Sequence, residues 1–188
     1  MLTRSTSKQD QPTHWVFGYG SLIWRPGFEF VAAQRALLRG AHRSLCIYSH
    51  TYRGTPELPG LVFGLARGGA CGGMAFEVAA VNWDAVLAYL RERELVTGVY
   101  VETTRPVQLS DGRITDALAF LVDEQHGQYA GRLGIEEQLR LVRRSHGQSG
   151  SNVDYVLNTA DHLAQMGIKD RHLAELATLL RAETQAVA

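Results

Sequence analysis

The sequence predicts an α+β domain, and three observations predict it. Segments rich in β-branched and aromatic residues fill the chain up to about residue 123, helical periodicity takes over after Gly134, and glycines and prolines punctuate the gaps between the early segments. Strands first and helices mostly afterwards suit antiparallel or mixed strands that could close into a small barrel. The chain has 188 residues, 45% hydrophobic and 20% charged. A chain of this length buries about 70% of the surface its unfolded form exposes, enough for one core without a disulfide or metal staple. Residues 1–14, MLTRSTSKQDQPTH, are polar with no apolar run behind them and read as a flexible tail, which leaves 15–188 as a single domain.

The first strand runs from Trp15 through WVFGYGS into a tight glycine loop. Further strands are expected at Ser44–Ser49, Gly60–Ala66, Met74–Ala79, Tyr100–Leu109 and Ile114–Asp123. The GGACGGM stretch around Cys71 reads as a strand entrance or a tight turn. The first helix is expected to start at Asn82 as N-cap, with Trp83, Val86, Leu87 and Leu90 at helical spacing. Later helices are expected over Ile135–His146, Ser151–Met166 and Asp170 to about Glu183. In the second of these Ser151 and Asp154 are arranged for N-capping, and Gly167 is placed to stop it.

Composition narrows the function classes. Lys plus Arg equals Asp plus Glu at 19 each, so no general attraction to nucleic acid or anionic lipid is expected. No apolar run reaches the roughly 18 to 20 residues that span a bilayer, so a membrane role is not expected. Two cysteines, Cys46 and Cys71, are too few for a disulfide framework and read as reduced thiols of a cytoplasmic protein. Seven histidines are scattered without HExxH or paired Cys-x-x-Cys spacing, so no metal site is expected. Ser21 lacks the glycines of a nucleophile elbow, and Gly18 and Gly20 are followed by Ile23 where a dinucleotide fingerprint needs its third glycine.

Two features carry chemistry. At 100° per residue from Trp83, Val86, Leu87 and Leu90 cluster within about 60°, Glu94 falls at about 20° and Glu92 at about 180°. Glu94 is therefore expected to point inward, where desolvation raises a carboxyl pKa toward the range of a general acid or base. A structural ion pair with an arginine, or a helix that stops short of Glu94, is the competing reading. The second feature is GYGSLIW, Gly18–Trp24, whose glycines let backbone N–H groups approach a carboxylate or a developing oxyanion; the competing reading is a plain hairpin turn. Arg53 in YRGTP reads first as a solvated loop arginine and second as an attractor for a substrate carboxylate.

Taken together, FGYGSLIWRPGF (Phe17–Phe28), HTYRGTPELPGLVFGL (His50–Leu65), GGMAFEV (Gly72–Val78), RELVTGVY (Arg93–Tyr100) and SGSNVDYVLNTADHL (Ser149–Leu163) resemble the ChaC-like glutathione-specific γ-glutamylcyclotransferases, most closely their bacterial branch. The resemblance implies a small mixed β-barrel with flanking helices. It implies a metal-independent lyase of the amidine type that needs no cofactor and cyclises the γ-glutamyl group of glutathione to 5-oxoproline, releasing L-cysteinylglycine. It places the catalytic carboxylate on Glu94 and the substrate-binding loop on Tyr19, Gly20, Ser21 and Leu22, with Tyr100 and Tyr155 as further pocket residues. The expected partner is a small γ-glutamyl molecule; the oligomeric state is left open. Two alternatives accompany this reading: a cyclotransferase for another γ-glutamyl amine or amino acid, and a non-catalytic γ-glutamyl-binding regulatory module.

Overall fold

The computed structural model describes residues 12–186. Its core is a closed five-stranded barrel in the order β1 (Thr13–Gly18), β3 (Gly60–Ala79), β2 (Ala32–Ser49), β4 (Tyr100–Leu109), β5 (Ile114–Val122). All neighbours in that order are antiparallel, and β5 closes the ring by parallel bridges, Val16 to Leu118 on β1 and Leu65 to Leu121 on β3. Helix α1 (Ala80–Glu94) follows β3. Helix α2 (Ile135–Arg144), a two-residue ladder of β6 (His146–Gly147) with β7 (Gly150–Ser151), α3 (Asn152–Gln165) and α4 (Arg171–Ala186) complete the fold. The expected α+β class, with a small mixed barrel and flanking helices, is what is found.

Strand alternation assigns side chains to the layers. On β5, Ala117, Ala119 and Leu121 join the large cluster that holds Phe17, Leu38 and Leu65, while Leu118 and Phe120 face Val16, Phe76 and the α1 residues Val86 and Leu90. Both faces of β5 are thus covered, which is why its last six residues are all buried. The large cluster continues into α2, α3 and α4 through Leu139, Val142, Val156, Leu163 and Leu176.

Several boundaries differ from the sequence expectations. β1 starts at Thr13, and His14 stacks on Trp83 with ring centroids 4.4 Å apart, so residues 13 and 14 belong to the barrel and not to a tail; residues 1–11 lie outside those described. Helix α1 starts at Ala80 with Ala79 as its N-cap, and Asn82 lies inside its first turn. Helix α2 ends at Arg144 because His146 enters the short ladder. The largest difference is the β2–β3 hairpin, whose strands run 18 and 20 residues, straight through the glycines that read as breaks. Gly68 and Gly69 take positive φ at a bulge opposite Arg39/Ala41, and a second bulge on β2, between Leu45 and Ile47, restores the register. Cys71 is therefore a buried mid-strand residue, and the second bulge explains why Leu45, Cys46 and Ile47 are buried in succession.

Candidate active site

The site forms where one edge of β3 runs out of strand partners. That edge pairs with β1 over Met74–Ala79 and meets β5 at Leu65, but toward Gly60 its polar groups are taken by side chains. Asn152, at the head of α3, accepts from Leu61 N (2.7 Å) through Oδ1 and donates from Nδ2 to Leu61 O (2.8 Å). Two residues along the strand, Tyr100 Oη donates to Phe63 O (2.9 Å) and Tyr155 Oη accepts from Phe63 N (3.2 Å). Residues i and i+2 of a strand present their N–H and C=O to the same edge, and residues i and i+3 of a helix share a face. The N-x-x-Y spacing of Asn152 and Tyr155 thus matches the helix to the strand edge it caps. Ser151 fixes the start of α3 by accepting from Asp154 N (3.2 Å), as expected from the sequence.

The glycine loop turns across the mouth of this opening. Ser21–Ile23 form a single 3₁₀ turn, with Ile23 N donating to Gly20 O (3.0 Å) and Arg25 N to Ser21 O (2.9 Å). Leu22 is buried against Phe76, Leu90 and Phe120 and pins the turn to the barrel. The N–H groups of Ser21 and Leu22 lead the turn, where no earlier carbonyl of the same turn reaches them. Gly20 leaves the space clear: a Cβ placed there would stand 3.9 Å from Tyr155 Oη and 4.0 Å from Phe63 Cβ.

Glu94 is the last residue of α1, one turn beyond the fully buried Leu90 and therefore on the same face. Its side chain is 16% exposed, while Glu92 is exposed, in agreement with the helical-face expectation. The ion pair that competed with a chemical role is also present: Arg93 Nε lies 3.2 Å from Glu94 Oε1. Burial pushes the Glu94 carboxyl above the usual carboxylate range, and the adjacent Arg93 charge partly opposes that shift. Arg93 ties the region together. Its Nη2 donates to Ser21 Oγ (2.9 Å), and its Nη1 donates to Arg25 O (2.7 Å) and Tyr89 Oη (2.9 Å).

A recess of about 40 Å³ is lined by Tyr19, Gly20, Ser21 and Leu22 together with Glu94 and Tyr155. It adjoins a chamber of about 390 Å³ that Ser21, Glu94 and Tyr155 also line, and to which Tyr100 and Arg53 contribute. The structure therefore brings all seven of the expected site residues to one place. Burial raises the pKa of all three tyrosines, that of Tyr155 to about 12, so each keeps its proton at neutral pH. Tyr100 already donates its O–H to Phe63 O, whereas Tyr155 uses its oxygen as an acceptor and retains its O–H for another partner.

Sequence reasoning passed over Arg93, Asn152 and Arg43. Arg43 holds the base of the glycine loop by donating from Nε to Tyr19 O (2.6 Å) while its Nη1 pairs with Asp170 (2.9 Å). The signals were an arginine next to an inward glutamate and an asparagine three residues before a tyrosine. Arg53 is not the solvated loop arginine that was the first reading: it is half-buried, with Nη1 donating to Ser149 O (2.5 Å). Its loop is drawn tight because Gly54 and Gly60 pack backbone to backbone; a Cβ on Gly60 would meet the Arg53 carbonyl oxygen at 2.2 Å.

Residues 14–183 match the family model described as ChaC-like protein, and the chain belongs to that family. Among curated relatives, it is 32% identical over 169 residues to the Escherichia coli K12 glutathione-specific gamma-glutamylcyclotransferase, covering 90% of this chain and 73% of the relative. It is also 32% identical over 173 residues to the human glutathione-specific gamma-glutamylcyclotransferase 1, covering 89% of this chain and 78% of that one. A crystal structure of the yeast cyclotransferase specific to glutathione superposes with a TM-score of 0.83 at 22% identity, covering 90% of this chain and 96% of the yeast chain, which shows a shared fold.

Proposed function

We propose that this chain cyclises the γ-glutamyl group of glutathione, giving 5-oxoproline and L-cysteinylglycine, with Glu94 as the residue that carries the proton. The observation that carries this reading is the shared recess, in which a desolvated carboxyl from the end of α1 meets the backbone of the Tyr19–Leu22 loop and the Tyr155 hydroxyl. Glutathione as the substrate is supported by the names of the E. coli and human relatives.

The chemistry follows from these groups. The substrate α-amine has a pKa near 7.7 to 8.0 and is mostly ammonium at neutral pH, so it must give up a proton before attacking its own γ-carbonyl. Glu94, held above the usual carboxylate range, is a stronger proton acceptor than a solvated glutamate. Attack forms the lactam C–N bond and places negative charge on the former carbonyl oxygen. The Tyr155 O–H and the Ser21 and Leu22 N–H groups are the donors for that oxygen, and one such donor is typically worth about 3 kcal/mol. The new ring nitrogen still carries one proton too many; collapse breaks the bond to the cysteine nitrogen, which takes the first proton back from Glu94, and the proton shed by the lactam nitrogen ends on the same released amine, so one ammonium is consumed and one is formed. The reaction is an intramolecular aminolysis: the atoms of glutathione all appear in the two products and water is not consumed. Folding the γ-glutamyl chain so that amine and carbonyl touch lowers the barrier by several kcal/mol more.

The same proposal takes the chain from β1 onward as one γ-glutamylcyclotransferase-like domain, beginning at Thr13 and not at residue 15, of a cytoplasmic protein in the bacterial branch of the family. Among the described residues no helix is long and apolar enough to cross a membrane, and no group of three His, Cys, Asp or Glu could hold a metal ion. The test is incubation of the purified protein with glutathione and with γ-glutamylalanine, following 5-oxoproline. Release from glutathione in strong preference is expected; release from γ-glutamylalanine in preference, or binding of glutathione without product between pH 6 and 9, overturns the reading.

A further inference from the structure

Arg53 projects from the β2–β3 loop into the large chamber. One end of its guanidinium is fixed, Nη1 donating to Ser149 O (2.5 Å) and Ser151 O (3.3 Å), and the group lies over the Tyr155 ring with its central carbon 5.0 Å from the centroid. Among the described residues its Nε and Nη2 make no hydrogen bond and no carboxylate stands within ion-pair distance, in contrast to Arg43, Arg91 and Arg93. Partial burial lowers its pKa, Tyr155 and then Asp154 act against that shift, and the nearby Arg25 charge adds to it. His50 Nδ1, shielded from solvent and without a partner among the described residues, lines the same chamber, as does Arg25. An immobilised cation with spare planar donors, in one chamber with an unpartnered polar atom, is built to receive a carboxylate.

Position decides which carboxylate. Ser21, Glu94 and Tyr155 line both the recess and the chamber, whereas Arg53 lines the chamber and not the recess. It therefore stands outward of the reacting end, against the Tyr155 ring. We propose that Arg53 determines specificity by binding the terminal carboxylate of the departing half of the substrate, so that the chamber selects γ-glutamyl peptides ending in a carboxylate over neutral γ-glutamyl amines. The inference rests on the cyclotransferase reading and adds to it a residue and a selection rule.

The test compares glutathione with its C-terminal glycinamide, γ-glutamylcysteinylglycinamide, as substrates for the wild-type protein and for Arg53→Gln and Arg53→Lys, with kcat/KM read from 5-oxoproline release and a melting curve for each protein. Wild type should prefer glutathione by about tenfold to a hundredfold, the size of a charge-assisted pair, and Arg53→Gln should bring the ratio of the two substrates toward one. Arg53→Lys keeps the charge but loses the planar fork and should retain an intermediate ratio. If Arg53→Gln slows both substrates by the same factor, with or without a lower melting temperature, Arg53 is a loop clamp or a ligand of the substrate's other carboxylate, and the proposal is overturned. A wild-type protein indifferent to amidation overturns it as well. Failure of wild type to release 5-oxoproline from either substrate instead overturns the underlying reaction.

Discussion

Replacing Asn152 by alanine tests how the site is built into the fold. The side chain is fully buried, and its two amide atoms are the partners of both Leu61 N and Leu61 O, at 2.7 and 2.8 Å, with Ser145 Oγ at 3.2 Å from Oδ1. Alanine leaves a donor and an acceptor of a fully buried strand residue without partners, at about 1 to 3 kcal/mol each, so the expected loss is about 2 to 6 kcal/mol. For a domain of this length each kcal/mol lowers the melting temperature by about 2 to 4 °C, which gives a fall of about 4 to 24 °C. Urea unfolding at pH 7 measures the free energy directly. Asn152→Asp sharpens the test, since a carboxylate still accepts from Leu61 N but cannot donate to Leu61 O. A buried unpaired Asp has its pKa raised in the folded state, so that variant should be most stable at acid pH and lose stability as pH rises through the folded pKa. An Asn152→Ala protein within about 1 kcal/mol of wild type would refute the argument that this side chain replaces a missing strand.

Other outcomes follow from the same geometry. Arg93→Gln removes the charge that holds the Glu94 pKa down, so the acidic limb of kcat/KM should move to higher pH, because protonating Glu94 abolishes the acceptor and the acceptor is now easier to protonate; an unmoved limb contradicts the assignment of that limb to Glu94. Tyr155→Phe removes a hydroxyl whose proton is uncommitted and should lower kcat by about 10² to 10³. Tyr100→Phe removes a hydroxyl already bonded to Phe63 O, so its cost should fall on stability more than on kcat; equal kcat losses in the two variants would show that the recess does not distinguish them.

Much of this was legible in the sequence for definite reasons. A helix repeats its face every 3.6 residues, so the position of Glu94 relative to Trp83 and Leu90 could be computed without knowing what the helix packs on. Strands β4 and β5 are rich in β-branched residues and set off by Gly98 and the Asp111–Gly112 turn, and were found almost to the residue. The β2–β3 hairpin was hidden because Gly68, Gly69, Gly72 and Gly73 look like punctuation locally. In the folded chain they serve a bulge and close packing, a Cβ on Gly73 falling 2.3 Å from Gly18 O. Arg93 and Asn152 escaped notice because their partners, Ser21 and Leu61, lie 72 and 91 residues away, and a single sequence carries no signal for such pairings. Arg53 was under-read for the opposite reason. Exposed arginines are common, and its burial depends on the Tyr155 ring arriving from the far end of the chain.

The most direct measurement is the single-turnover rate of 5-oxoproline formation from glutathione for wild type, Glu94→Gln and Glu92→Gln at neutral pH, with melting curves to establish that each is folded. Glu94→Gln should be slower by about 10² to 10⁴ and Glu92→Gln within a factor of about two. Comparable rates for wild type and a folded Glu94→Gln protein would contradict the account, since the ring closure would then have taken place without the carboxylate assigned to it.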